Sequence, residues 1–198
     1  LNYLWPLLIV ALTPVYLPRH HLSPHHVIGS GLGLVGAGLV ISGGRFSLDW
    51  AGLPGYLLAI GAAFTWSSYS LLTKRVKPFA TGAVGGFCLA SGLLSLGCYA
   101  LEPSASLGAI AGLSRADWMG LVLLGLGPMG LAFYTWDAAL KRGDPRVIGA
   151  LAYLTPLLST LNLVLLGGRH LSGVSIAAMG LIILGALVGS LDLFRSKF

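Results

Sequence analysis

Aromatic and hydroxyl side chains gather at a few places in an otherwise apolar chain, and they define the chemistry it offers. Tyr3 and Trp5 stand near the start, Trp66 and Tyr69 enclose Ser67 and Ser68 with Ser70 beside them, and Tyr134, Trp136 and Tyr153 follow. Trp66 and Tyr69 are spaced i, i+3, so a helix sets both rings on one face. A ring packed against another gains roughly 0.5–1.5 kcal/mol beyond its buried area. Such a face suits a ligand with an aromatic or bulky apolar side chain. Tyr and Trp also mark membrane–water boundaries, and Trp50, Tyr56 and Trp118 fit that role. Pro6 and Pro156 add a second possibility. A proline inside a helix has no N–H and frees a carbonyl on the preceding turn, which in lipid must find a partner. A ligand's ammonium group could be that partner; a plain packing kink is the simpler reading.

The titratable groups point away from catalysis. Asp137 precedes Lys141 by four residues, the spacing of an intrahelical ion pair, and no other carboxylate lies inside an apolar run, so no proton relay is expected. His20, His21, His25 and His26 crowd one loop with no Cys, Asp or Glu beside them in sequence. They are expected to form a solvated turn, with no metal bound. Gly31-Leu32-Gly33-Leu34-Val35-Gly36 matches a dinucleotide-binding pattern, but no strand precedes it, and close helix packing is expected instead. An intramembrane enzyme needs a nucleophile–base pair or paired acids. The apolar runs hold no His, Glu or Lys in their interiors, so neither an enzyme nor a cofactor is expected.

The elements that must position these residues are set by composition. Hydrophobic residues make up 56% of the chain, charged residues 9%, and the mean hydropathy is +0.85. A water-facing surface needs roughly a quarter of residues charged. An all-α membrane protein is therefore expected, in contact with a lipid bilayer. Where the charges stop, seven transmembrane helices are marked at 3–17, 27–43, 53–73, 80–101, 118–138, 147–167 and 171–191. About 20 apolar residues cross a hydrocarbon core, and a lipid-facing barrel would instead alternate with period two. Cys88 and Cys98 fall in one run, too far apart on a helix for a mutual disulfide. Alternating the loops between two sides puts Arg19, Lys74, Arg75, Lys77, Lys141, Arg142, Arg146, Arg195 and Lys197 together, against Arg45, Arg115 and Arg169. The first group should be cytoplasmic, with the C-terminus. That asymmetry accounts for the net charge of +6, and no nucleic-acid partner is expected.

The chain also repeats itself. Tyr3-Leu4-Trp5-Pro6-Leu7-Leu8 recurs as Tyr153-Leu154-Thr155-Pro156-Leu157-Leu158; Arg19-His20 recurs as Arg169-His170, and Leu22-Ser23 as Leu171-Ser172. With one gap, Gly31 and Gly36 fall on Gly180 and Gly185. The repeat restarts after five helices, an odd number, so the second copy crosses the membrane in the opposite sense. Secondary transporters use such inverted repeats around a central site. The expectation is ten helices as five plus five, seven of them present: 1–46 holds the last two helices of the first repeat and 53–198 the complete second. The opening Leu1, with no basic segment before an apolar one, reads as the middle of a longer chain rather than a signal peptide.

Gly55-Tyr56-Leu57-Leu58-Ala59 through Ala62-Ala63-Phe64-Thr65-Trp66 to Lys74-Arg75 resembles the opening of an EamA-type repeat of the drug/metabolite transporter superfamily. Ala139-Leu140-Lys141-Arg142-Gly143, then Tyr153-Leu154-Thr155-Pro156, Leu165-Leu166-Gly167 and Gly180 through Gly185 resemble its close. One departure stands out: Gly168-Arg169-His170-Leu171 lacks the glutamate the family carries there, so no role of that carboxylate is transferred. The resemblance implies a multi-pass protein of the cell inner membrane that exports small neutral solutes by alternating access. Amino acids, aromatic ones among them, are the expected substrates, with hydrophobic drugs or other metabolites as the alternative. Tyr3, Trp5, Pro6, Trp66, Tyr69, Tyr134, Trp136, Tyr153 and Pro156 are the expected substrate-binding residues.

Overall fold

Helices fill each apolar stretch, and the prolines decide where they start and break. The computed structural model describes residues 1–44, 50–77, 79–102, 107–166 and 172–192, and no strand occurs among them. Arg45, Arg169, Arg195 and Lys197 of the charge argument, and the Gly168–Leu171 departure, lie outside the described residues. The helices are α1 (Trp5–Tyr16), α2 (Pro24–Ser42), α3 (Leu53–Leu72), α4 (Ala83–Ala100), α5 (Leu107–Ala111), α6 (Arg115–Leu126), α7 (Ala132–Arg142), α8 (Pro145–Ala152), α9 (Leu154–Leu165) and α10 (Gly173–Gly189). Among the described residues four continuous helical stretches are long and apolar enough to cross a membrane: Pro24–Ser42, Ala83–Ala100, Arg115–Arg142 and Pro145–Leu165. Asn2–Tyr16 and Gly173–Gly189 are apolar but shorter. The 20-residue α3 is not among the four; its Trp66–Ser70 run lowers its hydropathy.

Many large apolar side chains face outward. Leu58 is 75% exposed, Leu94 71% and Leu126 69%. Surfaces this apolar do not face water in a soluble monomer; hydrocarbon is the medium that suits them.

The chain forms two units. The first comprises Leu1–Val76 and Gly143–Phe198, the second Lys77–Arg142. In the first unit α2 and α10 pack against each other through residues without side chains. A Cβ on Gly29 would lie 2.6 Å from the Gly185 carbonyl oxygen, and one on Gly36 would lie 2.8 Å from the Ala178 oxygen. An early residue of α2 therefore meets a late residue of α10, and the pair is antiparallel. The register that aligns Gly36 with Gly185 also aligns Gly29 with Ala178 and Gly33 with Ile182. Under it the first contact maps onto the second. The Gly36–Ile182 contact likewise maps onto Gly185–Gly33, with the Cβ positions 3.1 and 2.7 Å from the facing backbone nitrogen. Contacts that exchange in this way are those of a local two-fold axis perpendicular to both helices. Small residues permit such close approach where lipid supplies no hydrophobic drive between helices.

Two prolines interrupt rods that composition alone makes continuous. Pro156 sits at the start of α9, and the rod breaks at Tyr153, whose N–H turns back to Ala150 and Leu151. In the second unit Pro128 lies in a π-helical turn, Gly127–Leu131, between α6 and α7, a recognised place for proline to break the ladder. Pro6 behaves differently from the sequence expectation. It lies in the first turn of α1, after a 3-10 turn at Asn2–Leu4, where the missing N–H has no intrahelical partner to lose. Pro14 is the proline inside α1.

Candidate functional site

Ala63, Ser67, Ser70 and Leu71 form the buried face of α3, and that face is turned toward α1. The Ser67 hydroxyl lies 2.9 Å from the Trp5 carbonyl oxygen and 2.6 Å from the Ala63 oxygen, so its one hydrogen serves either acceptor. The second link is Tyr16, whose hydroxyl donates to Ser68 Oγ at 3.0 Å. These bonds fix the rotation of α3 and bring Trp66 and Tyr69 to the edge of the α1–α3 contact. Trp5 and Trp66 meet edge to face, with centroids 6.4 Å apart and planes at 89°. Trp66 and Tyr69 are 5.4 Å apart and tilted by 33°. All three rings are half-buried. They offer apolar surface with hydroxyl groups close by.

Tyr153 departs from the expectation of a cavity-lining ring. It is fully buried, in a core with Ala37, Leu157 and Ile182, and Tyr3 packs against that core. Its ring lies over Gly33, at 2.6 Å from the position a Cβ would take there. Its hydroxyl donates to the Tyr3 carbonyl at 3.1 Å. The carbonyl that Pro6 leaves without its helical donor is that of Asn2, four residues back, and it accepts the Trp5 N–H. The Pro156 carbonyl accepts the Thr160 hydroxyl at 2.8 Å. Both prolines are buried.

Tyr134 and Trp136 belong to the second unit, on α7, both half-buried. The Tyr134 hydroxyl stands over Gly85 of α4, where it fills the place of a side chain. In the same unit Asp137 and Lys141 pair at 2.6 Å, as their spacing implies. The Lys141 ammonium also donates to the Phe79 carbonyl at 2.8 Å and to Thr81 Oγ1 at 3.3 Å, and lies 4.0 Å over the Phe79 ring. Its three hydrogens are used. Asp137 Oδ1 is buried without a hydrogen-bond partner. A shallow concavity of about 500 Å³ runs along one face of α4, lined by Cys88, Leu89, Gly92, Leu93, Ser95 and Leu96. A single apolar helix face lines it, so it reads as surface rather than a binding site.

The histidines also depart from expectation. His25 and His26 begin α2 rather than a solvated turn, and His26 is completely buried. Asp192, remote in sequence, stands 3.0 Å from His25 and 3.1 Å from His26. Helix packing supplied the carboxylate that local sequence lacked. Nearby, Asp144 caps α8 by accepting the Arg146 N–H at 2.8 Å, and it pairs with the Arg146 guanidinium at 2.6 Å. Burial works against the Asp144 carboxylate, but the Arg146 bonds outweigh it and hold the carboxyl below its usual range. Burial also lowers the Lys74 ammonium, which donates to the Gly143 carbonyl at 2.6 Å. No sequence spacing announced Tyr16, Lys74 or Asp192 as partners.

The comparisons with known proteins agree on one kind of molecule. Residues 53–191 match the EamA-like transporter family. Over 193 residues the chain is 44% identical to a protein described as "Aromatic amino acid exporter YddG" from Ancylobacter novellus (strain ATCC 8093), covering 96% of this chain and 64% of the relative. A solved structure described only as "Crystal structure of protein" superimposes with a TM-score of 0.87 at 43% identity, over 98% of this chain and 65% of that one. The chain thus spans about 64% of the length of the curated relative it matches.

Proposed function

Because this chain belongs to the EamA-like transporter family, a family of multi-pass membrane proteins, we propose that it is part of a secondary transporter that exports small neutral amino acids, aromatic ones included. The observation that carries the substrate class is the array of Trp5, Trp66 and Tyr69, three half-buried rings with the Tyr16–Ser68 and Ser67 hydroxyls beside them. Such a surface attracts an aromatic side chain and offers polar contacts. A strongly anionic solute would lose its hydration there, at a cost of several kcal/mol, and the apolar runs of the sequence carry no Lys or Arg to offset it. The 44% identity to a protein described as an aromatic amino acid exporter supports the same reading.

The mechanism we infer is alternating access between two inverted five-helix repeats, with 1–46 in the first, 53–198 in the second, and the C-terminus cytoplasmic. The exchange of contacts between α2 and α10 under the repeat register supports this division, and the loop charges support the orientation. Tyr3, Pro6, Tyr153 and Pro156 then act by shaping the helix breaks around the site.

The test is efflux from liposomes holding the full-length protein and labelled phenylalanine, threonine or glutamate. Phenylalanine and threonine should leave and glutamate should stay. Trp66→Ala removes one or two ring contacts and should weaken apparent phenylalanine affinity about twofold to tenfold, with threonine less affected. Glutamate efflux equal to phenylalanine, or a Trp66→Ala protein with unchanged phenylalanine kinetics, would refute the assignment. Efflux of hydrophobic dyes with no amino-acid efflux would favour a drug exporter.

A further inference from the structure

The antiparallel packing of α2 on α10 carries the first turn of α2 to the end of α10, and three side chains converge there. His25 Nε2 is 3.0 Å from Asp192 Oδ1, and His26 Nε2 is 3.1 Å from Asp192 Oδ2. The two imidazole centroids are 4.2 Å apart. The His26 side chain has no exposure and that of His25 14%. In spite of the short separations, both Nε2 atoms are buried without a directed hydrogen bond. The ligand atoms of the three residues lie within 4.8 Å of one another. Nitrogens that stand beside the carboxylate oxygens without aiming at them are arranged as co-ligands of a common centre, not as donors to the carboxylate.

We propose that His25, His26 and Asp192 form a binding site for one divalent transition ion of the zinc type, which clamps the start of α2 to the end of α10. Two imidazoles and a carboxylate suit zinc, whose bonds to N and O ligands are about 2.0–2.2 Å, whereas magnesium and calcium favour oxygen ligands. Water completes the coordination. Two features make the site reversible rather than permanently filled. His26 Nδ1 accepts the Ser23 N–H over a long 3.3 Å; an ion at Nε2 needs the proton on Nδ1, so loading gives up that contact. The Arg146 guanidinium lies 3.9 Å from Asp192 Oδ2 and opposes a cation, although its pair with Asp144 at 2.6 Å offsets much of its charge. Binding stands apart from the transport reading. If that reading holds, the clamp joins counterpart helices of the two repeats, and zinc should slow efflux.

The full-length protein, freed of any affinity tag and held in detergent micelles, is titrated with Zn²⁺, Co²⁺ and Mg²⁺ at neutral pH. One Zn²⁺ should bind per chain and raise Tm by several degrees, and Mg²⁺ should do neither. Bound Co²⁺ should show visible d–d bands without a sulfur charge-transfer band. Asp192→Asn and His26→Gln should weaken Zn²⁺ by at least about tenfold, with the exposed His21→Gln as the unaffected control. If the buried His26→Gln protein does not fold, His25→Gln and Asp192→Asn carry the comparison at the more exposed positions. Absence of stoichiometric Zn²⁺ binding by the unaltered protein overturns the proposal, as does an affinity in Asp192→Asn and His25→Gln equal to that of the unaltered protein. The cluster is then an imidazole–carboxylate contact without a metal.

Discussion

The Tyr153 hydroxyl donates to the main-chain carbonyl of Tyr3 at 3.1 Å, so the residues that open the two copies of the sequence repeat are bonded to each other. The bond lies in the first unit, within a core that also takes in Ala37, Leu157 and Ile182. It joins the 3-10 turn before α1 to the break between α8 and α9, and Gly149 of α8 keeps α1 close, since a Cβ there would lie 3.0 Å from the Pro6 carbonyl oxygen.

Removing that hydroxyl should be felt as lost stability. Tyr153→Phe keeps the ring over Gly33 but leaves the Tyr3 carbonyl without it, at an expected cost of about 1–3 kcal/mol. Tyr153→Ala empties a large buried volume and should cost about 3–5 kcal/mol. Thermal unfolding in detergent measures both, and equal Tm for Tyr153→Phe and the parent would show that the hydroxyl contributes nothing.

The glycines of α2 and α10 should divide into two classes. Gly29→Ala and Gly185→Ala place a methyl group on a facing backbone and should destabilise by about 1–3 kcal/mol. Gly31→Ala and Gly180→Ala meet nothing within 4 Å and should be neutral or gain up to about 1 kcal/mol from helix propensity. Gly31 and Gly180 are repeat counterparts, so they should behave alike. Tm values that fail to separate the two classes would contradict the close contact.

Asp137 and Lys141 should be sensitive to removal of one partner and tolerant of removal of both. Lys141→Met leaves the Asp137 carboxylate, 1% exposed, without its cation, and should cost about 3–5 kcal/mol. The double variant Asp137→Asn, Lys141→Met buries no charge and should recover most of that loss. A double variant no more stable than Lys141→Met would mean that the loss comes from the Phe79 and Thr81 contacts.

Asp144 gives a pH dependence whose sign is fixed. Its carboxyl is held below the usual range in the folded protein, so its contribution is complete above the unfolded value, about 3.9, and is lost as pH falls through the lower folded value. At neutral pH Asp144→Ala should cost about 0.5–2 kcal/mol as a lost helix cap. The Tm difference between parent and variant should be constant from neutral pH down to about 5 and shrink below about 4. A difference that grows on acidification would show that the carboxylate is not the group responsible.

The helices were legible because charged residues stop where apolar rods begin, and the Asp137–Lys141 pair because four residues is one helical turn. The ring contact of Trp66 with Tyr69 was legible for the same reason. What escaped the sequence depends on packing between distant segments. Nothing local says that Tyr153 is buried over Gly33 or that Asp192 meets His26. Pro6 was misjudged because its effect depends on where α1 begins, a boundary that apolar flanking residues do not mark. Pro128 carried a usable signal in Gly127-Pro128, since proline in mid-rod breaks the ladder.

The glycine contact between α2 and α10 has a thermodynamic consequence as well as a steric one. A packed leucine or isoleucine gives up roughly 0.5–1 kcal/mol of rotamer freedom, and glycine and alanine give up none. Where Gly29 meets Gly185 and Gly36 meets Ala178, the two helices gain dispersion contact between residues that have no side-chain torsion to freeze. That local association is therefore free of the side-chain ordering term that weakens a contact as temperature rises.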